Sequence, residues 1–339
     1  MNTGTPAPAI PLLEVRDLSV RYSVGRKNPP VRALDGVSVS VGARETVGIV
    51  GESGSGKTTL GRAILGFVPV HHGTVLFGGA DITHADYRQR RELSSDLQVV
   101  FQDPYSSLNP TRTIGQTLSE TLRVHRRLSR ALLEERVGAI LERVGLSRDV
   151  ASRYPSNFSG GQRQRIAIAR ALIVEPRLVI CDEAVSALDL SVQAQVLNLL
   201  RELQAELGLS YLFIGHDLDV VKFVSNRIVV LYRGRVMEEG DVRLVSEKPS
   251  QPYTRALLDA APVPDPEIQR QRRQARAVVA MTETRTMRID ECHFAPRCPY
   301  ATDECFGRRP VLERTPNGVL VACHRWRELD LVALDASTA

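Results

Sequence analysis

Gly51-Glu-Ser-Gly-Ser-Gly56-Lys57-Thr58 carries the clearest chemistry in the sequence. It fits the pattern G-x-x-x-x-G-K-[ST], a loop that cradles phosphate groups. Glycines at 51, 54 and 56 let main-chain N–H groups converge on phosphate oxygens, and the N-terminus of a following helix adds partial positive charge. Lys57 supplies a point charge to the outer phosphates, and the Thr58 hydroxyl can hold magnesium. Ser53, Ser55 and Thr59 complete the candidate nucleotide-binding set. Further along, Leu178-Val-Ile-Cys181 delivers Asp182 and Glu183 to the end of an apolar run. Two adjacent carboxylates there are costly unless used: Asp182 is placed to hold magnesium through water, and Glu183 to orient and polarise an attacking water. A solvated acidic pair in a loop is the bland alternative. Cys181 reads as a small core residue. Near the C-terminus, Cys292, Cys298, Cys305 and Cys323 crowd together in the spacing C-x5-C-x6-C-x17-C. In a reducing compartment that crowding favours a metal over disulfides. Zinc more typically shows C-x2-C pairs and could recruit His293 or His324; four thiolates at irregular spacing also suit an iron–sulfur cluster, and unliganded thiols are a third reading.

These residues need elements to position them. Apolar and polar residues alternate from Leu12 to Tyr22 and again at Val37, Val39 and Val41, predicting antiparallel strands with one buried face. Thr46 to Val50 is a buried strand running into the Gly-rich turn, followed by a helix with Leu60, Ile64 and Phe67 on one face. Strand 178–181, an amphipathic helix over Val192 to Leu207 and strand 211–214 repeat the alternation, which implies a parallel sheet covered by helices. Between these halves, Tyr87 to Tyr154 reads as a charged helical insertion. Arg227 to Tyr232 and Arg235 to Glu239 form a closing hairpin about Gly234. The nucleotide-binding domain is placed at 1–245, with its helical subdomain at about 87–155. Residues 246–339 form an extension that opens with a Pro-rich, Arg/Gln-rich linker or lid running to Arg276.

The chain has 339 residues, 43% of them hydrophobic, enough for a sizeable core. No apolar run approaches the roughly 18 residues a membrane span requires, and the small, Pro-rich start lacks the features of a secretory signal, so a cytoplasmic location is expected. Net charge is only +5. Basic clusters at Arg88–Arg91, Arg123–Arg130 and Arg270–Arg276 are mostly interrupted or flanked by acidic residues and lack interleaved aromatics, so no nucleic-acid partner is expected.

Asn157-Phe-Ser159-Gly160-Gly161-Gln162 resembles the signature of ATP-binding-cassette (ABC) ATPases, opening a helix that Ser159 can cap while free N–H groups face a phosphate. Gln102 resembles the Q-loop glutamine, Ser186-Ala-Leu-Asp189 the D-loop, His216 the switch histidine that contacts the γ-phosphate, and Tyr22 an adenine-stacking residue. Phe101-Gln-Asp-Pro-Tyr-Ser-Ser-Leu-Asn-Pro110, Asp182 to Asp189, and Gln251-Pro-Tyr-Thr-Arg-Ala-Leu-Leu258 are similar to the oligopeptide/dipeptide importer ATPases, including their C-terminal extension. Gln251 stands where that extension usually has histidine, and Phe158 where the signature usually has leucine. The resemblance implies an α/β P-loop NTPase core with an antiparallel β subdomain, a helical insertion and a small Cys-rich extension. It also implies an ATP hydrolase in which Thr58, Gln102 and Asp182 hold Mg2+ and Ser159 to Gln162 act on a partner's ATP. Expected partners are a second, different ATPase subunit, two transmembrane permease subunits and an extracytoplasmic solute-binding protein, with this chain on the cytoplasmic face of the membrane. Related extensions tip the thiol assignment towards a [4Fe-4S] cluster over Zn2+. The alternative is a soluble ABC ATPase acting on nucleic acid, ribosomes or cluster assembly. Against it, only about a hundred residues separate Lys57 from Ser159, too few for a long coiled coil, and no second cassette is present. The solute itself is not set by this sequence.

Overall fold

The computed structural model describes residues 10–23, 25, 30–103, 108–260 and 290–331. Arg270–Arg276, the linker prolines beyond residue 261 and Tyr105 lie outside the described residues. In chain order the first elements are β1 (Leu13–Tyr22), β2 (Val31–Val41), β3 (Thr46–Val50), α1 (Lys57–Ile64), β4 (His72–Phe77), β5 (Ala80–Asp81) and α2 (Tyr87–Leu93). There follow β6 (Leu97–Val100), α3 (Ile114–His125), α4 (Arg130–Arg143), α5 (Gly160–Leu172), β7 (Leu178–Asp182), α6 (Leu190–Leu207) and β8 (Ser210–Ile214). The last are α7 (Leu218–Val224), β9 (Arg227–Tyr232), β10 (Arg235–Asp241), α8 (Val242–Glu247), α9 (Pro252–Ala260), α10 (Asp303–Gly307), β11 (Glu313–Arg314) and β12 (Leu320–Val321).

Two compact units interleave along the chain. The first takes Met1–Leu18, Ser38–Thr46 and Leu60–Ile214. In it β6, β7 and β8 form a parallel ladder, with Val99 opposite Ile180 and Ile180 opposite Leu212. β7 and β8 are apolar at nearly every position because helices cover both faces of such a ladder, so strict alternation would bury polar groups. Gly61 makes the close approach of α1 possible: a Cβ there would stand 3.0 Å from the Ile214 Cδ1. The antiparallel sheet runs β2-β1-β4-β5. Its expected alternation breaks at Arg16 and Asp17, both exposed, because Asp17 adopts φ 49° and donates its N–H to Ser38 Oγ at 2.9 Å. That left-handed residue resets which face the strand buries. Within the charged segment, α3 and α4 are capped by Thr113 and Ser129, and the short strand β6 precedes them.

The second unit takes Ser19–Val37, Val47–Thr59 and Gly215–Ala339. β3 pairs parallel with β9, Val47 opposite Arg227, and β9 turns back into β10 with Tyr232 opposite Arg235. The turn places Arg233 and Gly234 at φ 45° and 77°, the two positive angles that a right-twisted two-residue hairpin requires. β12 then pairs with β10, Glu238 opposite Val321, and β11 pairs with β12, so part of the extension continues this sheet. One helical expectation fails: Phe67 is 60% exposed, because α1 stops at Ile64 and Gly66 turns the chain at φ 76°. Its ring instead stacks on Phe101 with centroids 6.5 Å apart.

Candidate ATP site and C-terminal thiol pocket

In the second unit, β3 is buried throughout and ends at Gly51, whose φ of 154° starts the phosphate loop. Backbone closes around two of its glycines: a Cβ at Gly51 would meet Leu231 O at 2.1 Å, and one at Gly56 would meet Ala33 O at 2.6 Å. Gly54, at φ 77°, has nothing within 4 Å of a Cβ position, so the loop is open on that side. Lys57 is 4% exposed, and its Nζ donates to Gly51 O at 2.8 Å and Glu52 O at 3.0 Å. Ser55 Oγ is buried and has no hydrogen-bond partner among the described residues. A buried ammonium, an unsatisfied hydroxyl and the first N–H groups of α1, gathered in one loop, are the donor set that a phosphate needs. Gly215 N–H donates to Ile49 O at 3.0 Å, which sets the His216 turn beside the end of β3. Asp217 follows as the cap of α7. Tyr22 ends β1 at 37% exposure, leaving its ring accessible.

In the first unit, Asp182 ends β7 opposite Ile214, and Glu183 adopts φ 50° while its N–H donates to Ile214 O at 2.9 Å. A left-handed glutamate is a strained conformation, of the kind that persists where a side chain must be aimed. Val100 pairs with Cys181, so Gln102, two residues past β6, emerges at the same carboxyl edge as Asp182 and Glu183. Ligands of parallel sheets bind at this edge. Cys181 is fully buried, its thiol pushed up to about 12 by burial, which agrees with a core role. Ser159 caps α5: its Oγ accepts from Gln162 N–H, and Gln162 Oε1 accepts from Ser159 N–H at 3.1 Å. Ser159 and Gln162 are exposed, while Gly161 is buried against α6. Phe158 is buried, so its difference from leucine falls on packing. Asp189 caps α6, accepting from Ser191 Oγ at 2.7 Å and Val192 N–H at 3.0 Å, and these bonds hold its carboxyl below the usual range.

Cys292, Cys298, Cys305 and Cys323 line one small cavity of about 20 Å3, together with Gln251, Phe294 and His324. The backbones of Cys292 and Cys305 are joined by a 2.9 Å hydrogen bond. Burial pushes Cys298 up to about 12 and Cys323 to about 11. The donor chemistry suits a metal, yet among the described residues no three His, Cys, Asp or Glu side chains stand close enough to hold one. His293 is half-buried and does not line this cavity, and it is pushed down to about 4 by desolvation and the neighbouring Arg235 and Arg309. His324 Nε2 lies 3.0 Å from Arg308 O. Sequence motifs gave no role to Glu52, Tyr253 or Arg297, which the structure joins: Glu52 N–H donates to Tyr253 Oη at 2.9 Å, and Arg297 donates to both Glu52 carboxylate oxygens at 2.8 and 2.9 Å.

Comparison with known proteins follows these lines. Residues 34–186 match the family "ABC transporter", and residues 237–305 match "Oligopeptide/dipeptide transporter, C-terminal region". The oligopeptide transport ATP-binding protein OppF of Salmonella typhimurium is 47% identical over 310 residues, covering 89% of this chain and 92% of OppF. Among solved structures, cbiO1 of Clostridium perfringens, part of an ABC transporter complex, aligns with TM-score 0.62 and 28% identity over 69% of this chain and 90% of its own. The dimeric cassette MJ0796, bound to ADP and Pi, aligns with TM-score 0.61 and 27% identity over 68% of this chain and 99% of its own. No helix among the described residues is long and apolar enough to cross a membrane. With a phosphate loop, a capped signature helix and this likeness along nearly its whole length, the chain belongs to the ATP-hydrolysing subunits of ABC transporters that carry the oligopeptide/dipeptide C-terminal region.

Proposed function

We propose that this ATPase drives import of oligopeptides or dipeptides, working at the cytoplasmic face of a membrane with a second ATPase chain, two permease subunits and an extracytoplasmic binding protein. The phosphate loop carries the ATP-driven part of this reading, since no side chain fits at Gly51 or Gly56 and Lys57 is buried at its centre, and the match of residues 237–305 to the oligopeptide/dipeptide transporter C-terminal region supports the peptide part. Gly51 to Gly56 and Thr59 bind ATP, Lys57 neutralises its outer phosphates, and Tyr22 stacks on the adenine. Thr58, Gln102 and Asp182 would hold Mg2+, which would spread the charge developing on the phosphate oxygens. Glu183 orients water and accepts its proton, and His216 contacts the γ-phosphate. Ser159, Gly160, Gly161 and Gln162 present an exposed helix N-terminus to the ATP on the partner's loop, with Asp189 beside that interface. The dimeric MJ0796 cassette and the transport name of OppF support this arrangement.

For the four thiols, which line one cavity, the proposed occupant is a [4Fe-4S] cluster, which would have to draw them closer together than they stand here; Zn2+ is the competing occupant. Reconstitution into vesicles with the cognate permeases, second ATPase and binding protein tests the transport reading. ATP-dependent accumulation of labelled peptides is expected. Failure to copurify with permeases, with hydrolysis stimulated by nucleic acid or ribosomes instead, would favour the soluble alternative.

A further inference from the structure

Glu52 occupies a variable position of the phosphate loop, yet every polar group it has is engaged. Its carbonyl accepts from Lys57 Nζ at 3.0 Å and from Ser55 N–H at 3.1 Å. Its N–H donates to the Tyr253 hydroxyl, and its carboxylate receives a two-point grip from Arg297. Tyr253 is fully buried, its ring 4.4 Å from Tyr232 and 5.3 Å from Phe294 between centroids. The Arg297 guanidinium lies over the Tyr232 and Phe294 rings at 5.9 and 5.7 Å. Arg297 closes a single helical turn, Ala295–Arg297, anchored by Ala295 N–H to Cys292 O at 2.9 Å. Both grips therefore come from rigid supports in the C-terminal extension, 201 and 245 residues away in sequence.

We propose that Arg297 and Tyr253 are positioning residues for ATP binding: they fix Glu52, and through its carbonyl they set where the Lys57 ammonium stands in the loop. An exposed ion pair alone contributes little to stability, but here the geometry is bidentate, stacked on aromatic rings and tied through the Glu52 carbonyl to the Lys57 ammonium. Loss of the Tyr253 hydroxyl leaves the Glu52 N–H without its partner at the edge of the loop. The extension thereby acts on the nucleotide site of its own chain, a role that rests on the ATP reading of that loop.

The test measures Mg–ATP affinity and thermal midpoint separately on the full chain for Arg297→Gln, Arg297→Lys, Glu52→Gln, the Arg297→Gln/Glu52→Gln pair, Tyr253→Phe and Lys57→Ala. Arg297→Gln and Tyr253→Phe should each weaken ATP binding about 3- to 10-fold. Arg297→Lys should restore part of the loss, and the double variant should bind no worse than the weaker single variant. Tyr253→Phe keeps the ring packing, so it reports even if an Arg297 variant folds poorly. If both bind ATP within twofold of the parent while Lys57→Ala loses binding, the positioning role is overturned and the ATP site stands. If Lys57→Ala binds ATP like the parent, the ATP reading of the loop fails first. Additive losses in the double variant that track the thermal midpoint would reduce Arg297 to a stabilising contact and also overturn the proposal.

Discussion

At the scale of single residues, the two carboxylates with the most unusual settings lead to separate predictions. Glu183 sits in a left-handed conformation at the carboxyl edge of β7, beside Asp182. Glu183→Gln should bind ATP near the parent level while phosphate release falls roughly 10²- to 10⁴-fold, the usual contribution of a positioned base. Lys57→Ala should weaken binding itself. Nucleotide affinity and single-turnover phosphate release, measured apart, distinguish the two; retained turnover in Glu183→Gln would remove Glu183 from its role. Glu238 is fully buried in β10, with Oε1 accepting from Ser250 N–H at 2.6 Å. Burial pushes its carboxyl from 4.5 up to about 7, so the fold favours the neutral form. The stability this gives is complete below pH 4.5, is lost as pH rises towards 7, and stays lost above, a change of roughly 3 kcal/mol at most. Glu238→Gln should flatten that slope and make the chain more stable than the parent at pH 8. Parallel urea midpoints for the two proteins across pH 5 to 8 would count against it.

Among elements, the packing of α5 on α6 depends on the second signature glycine. A Cβ at Gly161 would lie 2.3 Å from Val192 Cγ1, inside any permissible contact, and Val192 sits in the first turn of α6 directly after the Asp189 cap. Gly161→Ala must therefore push the helices apart or force Val192 off its rotamer, at a cost of about 1–3 kcal/mol. The combined change Gly161→Ala/Val192→Ala should recover most of the lost thermal midpoint. A single variant as stable as the parent would show that the two helices slide freely. The signature pattern was legible in the sequence, but the steric reason for its second glycine was not. That reason is a neighbour some thirty residues on, which only the packing of α5 against α6 supplies.

For the whole molecule, the C-terminal extension decides most. Its short strand β12 joins β10, and the four thiols line one small cavity. Small tails of this kind draw their order from a staple or from the body they dock on. Purified without oxygen, the chain should carry iron and acid-labile sulfide in cluster stoichiometry with a visible absorbance band. Removing the metal should lower the thermal midpoint by several degrees. Stoichiometric zinc without iron would reassign the site. A metal-free chain with an unchanged midpoint would leave four reduced thiols packed in the extension.

The sequence alone determined the parts that rest on local rules. The phosphate loop, the buried strands before it and before Asp182, the Ser159 cap and the Arg233-Gly234 hairpin all follow from backbone sterics and short-range periodicity, and each occupies its expected place. Tertiary structure decided what depends on residues far apart. Asp17 reverses its strand's facing because Ser38 is there to receive its N–H, and Phe67 leaves the buried face because its helix ends early. Glu52, unremarkable as a variable loop position, is gripped by side chains 201 and 245 residues away. Long-range pairings of this kind leave no periodic trace in the chain, since they are fixed by which surfaces meet on folding and not by the spacing of neighbours.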